Sequence, residues 1–297
     1  MALCALCPRK CEANRETAAG LKKSICGAPA RIKVALASLH PYEEPVIAGE
    51  KGAGTVFFSH CNLKCVFCQN HEISQEGFGL EISRNRLIEI FLELQTKGAA
   101  TLELVTPGHY TDEIVEALKT AKDEGLKIPV VWNSNAYESP ESLMKLSGLV
   151  DIFMPDMKYF DNRAAARYSG VRDYFRIASE AIQTMFRLTG PFQMAGDSMR
   201  RGVLIRHLVL PGMTQDSCRI LNWIYERFGD AVYVSIMNQY MPIYKAERFP
   251  EINRPLMTAE YQRVVRHART LGFQNAFIQV GKTQDTRFIP VFDGKGV

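Results

Sequence analysis

Residues 54–71 read GTVFFSHCNLKCVFCQNH, a β-branched and aromatic run that breaks into three closely spaced cysteines. The run Gly54–Ser59 predicts a strand. Cys61, Cys65 and Cys68 follow just past its end with C-x3-C-x2-C spacing. Three thiolates are one fewer than a closed structural zinc site or a fully ligated 4Fe-4S cluster requires, so one coordination position is left open. Loops at the carboxyl ends of strands are also where parallel barrels carry out their chemistry. Zinc is the competing reading, because His60 directly precedes Cys61 and His71 lies three residues after Cys68, and either imidazole could complete a four-ligand site.

Downstream the chain alternates strands and helices. Ser83 is read as the N-cap of a helix from Arg84 to about Lys97, ended by Gly98, with a strand over Thr101–Val105. Thr111 is read as the cap of the next helix, which Gly125 ends, before a strand over Ile128–Trp132. A short helix from Ser139, a strand Leu149–Met154, helical material over Arg163–Leu188 and a strand Val203–Leu210 come next. Helix Gln215–Phe228, strand Val232–Met237, helix Thr258–Leu271 and an apolar run Ala276–Val280 complete the pattern. Continuous apolar strands between helices imply an α/β fold with a parallel sheet, and six such units counted from Thr55 predict a partial barrel.

The totals fit this picture. The 297 residues, 46% hydrophobic, can bury one sizeable core. The opening MALCALCPRK is too short and too interrupted for a signal peptide, and no run is long enough for a membrane span, so a cytoplasmic protein without membrane contact is expected. Eight cysteines in such a chain argue for metal or catalysis rather than disulfides, and seven of them precede residue 69. Cys218 stands apart and is read as a core residue. A net charge of +4, dispersed along the chain, does not favour nucleic acid as a partner.

In a parallel sheet the carboxyl ends of successive strands converge, and here they are polar: Thr106-Pro-Gly-His109, Asn133-Ser-Asn135, Asp156-Met-Lys158, Arg206 and Asn238-Gln-Tyr240. Arg206 lies in an apolar strand, so its charge must be paired. A ligand carboxylate would suit it. The alternative is a structural network of Arg206 with Asp156 and Lys158. Trp132 and Tyr240 are read first as core aromatics, and His40-Pro-Tyr-Glu-Glu-Pro45 first as a loop, with a ligand or substrate contact by one of its two glutamates as the alternative.

The cysteine spacing, with Phe67 before the third cysteine, resembles the signature of the radical S-adenosylmethionine (SAM) superfamily. Over residues 40–280 the chain looks like the subgroup related to the pyruvate formate-lyase activating enzyme, and like its uncharacterised relatives with an N-terminal four-cysteine segment. Asp156 and Lys158 match the subgroup's D-x-K motif, and Arg206 through Gly212 its I-R-x-x-V-x-P-G strand. The turn Thr106–His109 differs from the Gly-Gly-Glu-Pro type common in the superfamily. The resemblance implies a partial parallel (βα)6 barrel and an oxidoreductase that cleaves SAM reductively at a 4Fe-4S cluster. The resulting 5′-deoxyadenosyl radical would abstract hydrogen, with activation of a glycyl radical enzyme as one outcome. It implies that Cys61, Cys65 and Cys68 hold the cluster and that Phe67, Thr106, His109, Asn133, Asn135, Asp156, Lys158 and Arg206 bind SAM. An electron donor such as flavodoxin or ferredoxin and a protein or peptide substrate are the expected partners. Modification of a small molecule, or a non-enzymatic zinc or iron-sulfur protein, are the alternatives.

Near the amino terminus Cys4, Cys7 and Cys11 form C-x2-C-P-R-x-C, and Cys26 follows in Ile25-Cys-Gly27. Four cysteines predict a second metal site, either zinc or iron-sulfur. The expected organisation is a cysteine-rich metal-binding segment over 1–45, a barrel over 46–280 and a tail over 281–297.

Overall fold

The structure, a computed structural model, describes residues 3–279, 281 and 289–297. The sheet is built from β1 (Ile32–His40), β2 (Ala53–Phe58), β3 (Leu80–Ile82), β4 (Leu102–Val105), β5 (Val130–Ser134), β6 (Ile152–Pro155), β7 (Gln193–Ala195), β8 (Ser198–Leu208), β9 (Tyr233–Met237) and β10 (Ala276–Ile278). Its order is β10-β9-β8-β6-β5-β4-β2-β1-β3, with β7 hairpinned onto β8. The six expected strands β2, β4, β5, β6, β8 and β9 run parallel, and β10 joins them as a seventh. Among the described residues no pairing joins β3 to β10, so the sheet stays open, as a partial barrel requires.

Local chemistry sets the helices that cover it. In Arg84–Thr96 the buried Leu87, Ile88, Ile90, Phe91 and Leu94 fall on one face, and the Ser83 side chain accepts from the Arg86 N–H as N-cap. Helix Thr111–Asp123 begins differently from the sequence reading. Tyr110 occupies the cap position, and Thr111 Oγ1 donates to Gly108 O. The helical material over 163–188 divides into Asn162–Ser169 and Tyr174–Thr189, because Gly170 takes a left-handed conformation, φ 68°, and terminates the first helix. Trp132, Phe58, Phe91, Phe153 and Tyr110 fill the core between sheet and helices. Each such side chain contributes roughly 1.5–3 kcal/mol by leaving water.

Strands β1 and β3 have no counterpart in the sequence reading. β1 is rich in Ala and Leu, without the β-branched density that marks a strand. Its pairing with β2 makes it one, so residues 32–40 of the cysteine-rich front segment belong to the sheet. β1 runs antiparallel to β2, and β3 antiparallel to β1. The apolar run Ala276–Val280 yields β10, and Val280 itself lies outside the described residues. The end of the tail docks on β1: Ala37 N donates to Lys295 O and Gly294 N to Ala35 O, each at 3.0 Å, while Phe292 packs edge-on against Phe57.

β2 carries the cysteine loop, and helix 84–96 presses closely on it at Gly54. A β-carbon there would meet Ala99 Cβ at 2.9 Å and Leu94 Cβ at 3.0 Å. Gly54→Val is therefore expected to destabilise the fold by about 1–3 kcal/mol, the usual cost of overpacking, read as a lower urea midpoint with unchanged slope.

Candidate active site

The cysteine loop is pinned on every side by backbone bonds. Ser59 N donates to Lys33 O and His60 N to Ile73 O; Lys64 N and Val66 N donate to Ser169 O and Tyr168 O. The imidazole of His109, at the end of β4, holds Ser59 O at 2.7 Å. Three non-glycine residues, His60, Thr106 and Ala136, adopt positive φ of 74°, 56° and 59° just past β2, β4 and β5. Such strain costs of order 1–3 kcal/mol each and collects where the surrounding structure holds a site in shape.

Each thiol of the loop has a polar neighbour. Asn135 Nδ2 and Leu63 N reach Cys61 Sγ at 3.3 and 3.4 Å, Ser169 Oγ lies 3.0 Å from Cys65 Sγ, and Ser74 Oγ lies 3.2 Å from Cys68 Sγ. Hydrogen bonds of this kind tune metal-bound sulfur. Burial, with the charge of Cys65 adding, pushes the Cys61 thiol up to about 11 and the Cys68 thiol up to about 12. A cation placed beside Cys61 and Cys68 would offset that cost and favour their thiolates. The two histidines weighed as zinc ligands are engaged elsewhere. His71 Nδ1 lies 3.1 Å from Glu76 Oε1 and its ring stacks on Tyr244, while the His60 ring packs against Gly27 and Gly77. Among the described residues no three His, Cys, Asp or Glu side chains are gathered tightly enough to hold one metal ion.

Cys65, Phe67 and Cys68 face a cavity of about 500 Å³ whose other walls include Glu43, Glu44, Asn133, Asp156, Lys158, Arg206, Gln239 and Phe277. That volume lies within the range of small-molecule pockets, ~300–1,000 Å³. Its polar wall is one ion cluster. Arg206 Nε bonds Asp156 Oδ1 at 3.0 Å, Nη1 bonds Glu43 Oε1 at 3.3 Å and Nη2 bonds Asn133 Oδ1 at 2.6 Å, while Lys158 Nζ bonds Asp156 Oδ2 at 2.7 Å. Burial opposes the charge on Asp156, but Lys158 and Arg206 outweigh it and hold the carboxyl below its ordinary range. Burial likewise opposes the Lys158 ammonium, and Asp156, then Cys65, raise it above its usual value. Burial, helped by Glu43, pushes Glu44 up to about 7.

The structure thus brings Phe67, Asn133, Asp156, Lys158 and Arg206 to one cavity with Cys65 and Cys68. It places Thr106, His109 and Asn135 around a separate small cavity, with Asn62, Ser134 and Glu138. Arg206 is already paired with protein carboxylates, which is the structural network weighed for it. Cys218 is partly buried and remote from both cysteine sets in sequence. Tyr240 packs edge-on against Phe67, and Trp132 donates to Glu138, so both serve as core aromatics.

Glu43 and Glu44, read first as loop residues, face the cavity, and sequence reasoning missed Glu103. Glu103 is fully buried on β4, accepts from Asn133 Nδ2 at 2.6 Å, and is raised well above the usual carboxylate range by burial and then by Glu43. The signal was available: Glu103 is a lone charge in the apolar run Leu102–Val105, as Arg206 is in its own strand.

His109 gives the site a pH dependence. Burial, then the Arg15 charge, lowers it from 6.5 to about 3, so the folded protein holds it neutral while the unfolded chain protonates near 6.5. Its share of stability is complete above about pH 6.5 and is lost as pH falls towards 3. In urea unfolding from pH 7 to 4, His109→Gln should lose less stability than the parent protein over the same interval.

Residues 55–224 match the Radical SAM superfamily. The chain is 34% identical over 276 residues to the uncharacterised protein MJ0674 of Methanocaldococcus jannaschii, covering 89% of this chain and 74% of that protein. SuiB of Streptococcus suis, bound to the precursor peptide SuiA, shares the fold at a TM-score of 0.52 and 15% identity, over 75% of this chain and 47% of SuiB. Methylornithine synthase PylB does so at 0.52 and 14%, over 79% and 75%. The chain spans about half the length of SuiB. The family match over the cysteine loop and most of the parallel strands, together with the open parallel sheet, establishes that this chain belongs to the radical SAM superfamily.

Proposed function

We propose that this protein binds SAM in the cavity beside the cysteine loop, and that Cys61, Cys65 and Cys68 hold the 4Fe-4S cluster with which SAM reacts. The observation that carries this reading is the convergence of loop thiols and a buried ion cluster on one cavity large enough for the ligand. The cluster and SAM, when bound, supply a 5′-deoxyadenosyl radical for hydrogen abstraction. The chain's own residues orient and shield it. Lys158 keeps further N–H groups beyond its bond to Asp156 and presents an ammonium to the SAM carboxylate. Glu43 and Glu44 offer acceptors to the SAM amino group, while Phe67, held by Tyr240, gives the adenine an apolar wall. Arg206 acts as a positioning residue, fixing Asp156, Asn133 and Glu43.

The substrate we favour is polypeptide, with the backbone glycine of a glycyl radical enzyme as the leading candidate. The cavity is walled on one side by His40, where β1 ends, and the segment after it to Pro45, and on the other by Phe277 and Ile278 of β10. Those strands lie towards opposite ends of the open sheet, so a segment of partner chain can enter between them. The shared fold of SuiB, with its precursor peptide, supports the same reading.

After anaerobic reconstitution with iron and sulfide, the protein should release 5′-deoxyadenosine from SAM in the presence of dithionite. Cys61→Ala, Cys65→Ala or Cys68→Ala should abolish release. Lys158→Met should raise the SAM concentration for half-maximal cleavage by roughly tenfold or more, as for a lost charge-assisted contact of ~1.5–3 kcal/mol. A colourless zinc protein inert towards SAM would reject the proposal.

A further inference from the structure

β1 has β2 along one edge and two short neighbours along the other. β3 pairs with Ile32, Lys33 and Val34. Where β3 stops, residues 294 and 295 take over, with Gly294 N donating to Ala35 O and Ala37 N to Lys295 O, each at 3.0 Å. The segment 289–297 therefore reaches from the large cavity, which Ile289 and Pro290 help to wall, to the outer edge of β1. It is fitted along the way. Phe292 packs edge-on against Phe57, on the apolar cluster of Ala35, Leu36, Phe57, Ile73 and Val105, and Arg86 Nη2 donates to Gly296 O at 3.3 Å. Gly294 and Gly296 have φ of 77° and 75°, the left-handed region that favours glycine, and a β-carbon on Gly296 would collide with Ala37 O.

This close fit is shallow. Every residue from 289 to 297 is half-buried or exposed, and Val291 is 79% exposed. A segment with few buried contacts opens locally at low free-energy cost. Main-chain bonds to a sheet edge, an aromatic anchor on an apolar shelf and glycines where the backbones come close are the elements by which a sheet binds an extended peptide as an added strand.

We infer that the outer edge of β1 from Ala35 to Ala37, with Phe57 beside it, is a docking surface for the polypeptide substrate, and that residues 289–297 occupy it until the substrate displaces them. The partner it fits is an extended segment in which an aromatic residue is followed two and four positions later by glycine, as Phe292 is by Gly294 and Gly296. A chain that replaces residues 289–297 follows their path between this edge and the cavity. The inference rests on the polypeptide reading above, and adds where that polypeptide docks and what holds its place beforehand.

Peptide binding to the full-length protein tests it without cluster or SAM. In the Gly296→Val protein the added side chain should free the surface. A fluorescently labelled synthetic peptide of residues 289–297, followed by anisotropy, should then bind the variant at least tenfold more tightly than the parent, whose own segment competes. The Phe292→Ala protein provides a second variant and should shift in the same direction. A peptide carrying Gly296→Val should bind the freed protein at least tenfold more weakly than the unaltered peptide, and an unrelated peptide keeping only the order aromatic-x-Gly-x-Gly should displace the label. Equal affinity for parent and variants, no binding to either variant, or indifference to Gly296→Val in the peptide overturns the docking surface. A parent protein that elutes as a dimer, with the dimer lost in the Gly296→Val variant, makes a second copy the occupant and overturns the substrate assignment. Failure of the reconstituted parent to cleave SAM counts against the reaction proposed above and leaves these affinities as they are.

Discussion

A buried guanidinium organises the mouth of this barrel. Arg206 binds Asp156 from the end of β6, Asn133 from β5 and Glu43 from the segment after β1, so one cation ties four parts of the chain at the point where the strands converge. The desolvation cost of burying that charge is met only when its bonds are complete. Removing one partner of such a buried cluster typically destabilises by ~3–5 kcal/mol, because the remaining charge is left stranded. The carboxyl ends of β5, β6 and β8 are therefore fixed relative to each other before any ligand binds. Lys158 is held in turn by the second oxygen of Asp156.

The cysteine loop rests on that frame and on a second one. β2 delivers it, helix 71–74 receives it, and backbone bonds to residues 168 and 169 clamp its middle. His109 and Asn62 connect it to the turns that follow β4 and β5. The result is a division of labour around the loop. One side faces the cavity with Cys65, Phe67 and Cys68, and the other meets Arg9 and Asn135 through Asn62. Preorganisation of this kind lets a ligand bind without first paying to order the chain.

How much of this was legible beforehand depended on range. The helix over Thr258–Leu271 and the Ser83 and Ser139 caps were readable because caps and 3.6-residue periodicity are local signals. The break at Gly170 was overlooked because helical composition continues on both sides of it. β1 was missed because an Ala- and Leu-rich run becomes a strand only when β2 lies beside it. His109 and Thr106 were read as part of the SAM pocket from their place after a strand. Yet a polar residue at a strand end can face either the cavity or the packing beneath the loop, and only the fold distinguishes the two.

The sequence by itself determined the chemistry: three thiols at a spacing that leaves one coordination position open, a cation in an apolar strand, and an alternation of strands and helices that calls for a parallel sheet. Those are properties of residue type and short spacing, which survive without knowledge of distant neighbours. The tertiary structure alone decided which carboxylates meet Arg206, that Glu43 and Glu44 from a segment read first as a loop face the cavity, and that Asn135 joins Asn62 to the Cys61 thiol. Each of these joins residues far apart in the chain, and such pairings are set by packing geometry rather than by any pattern a single segment carries.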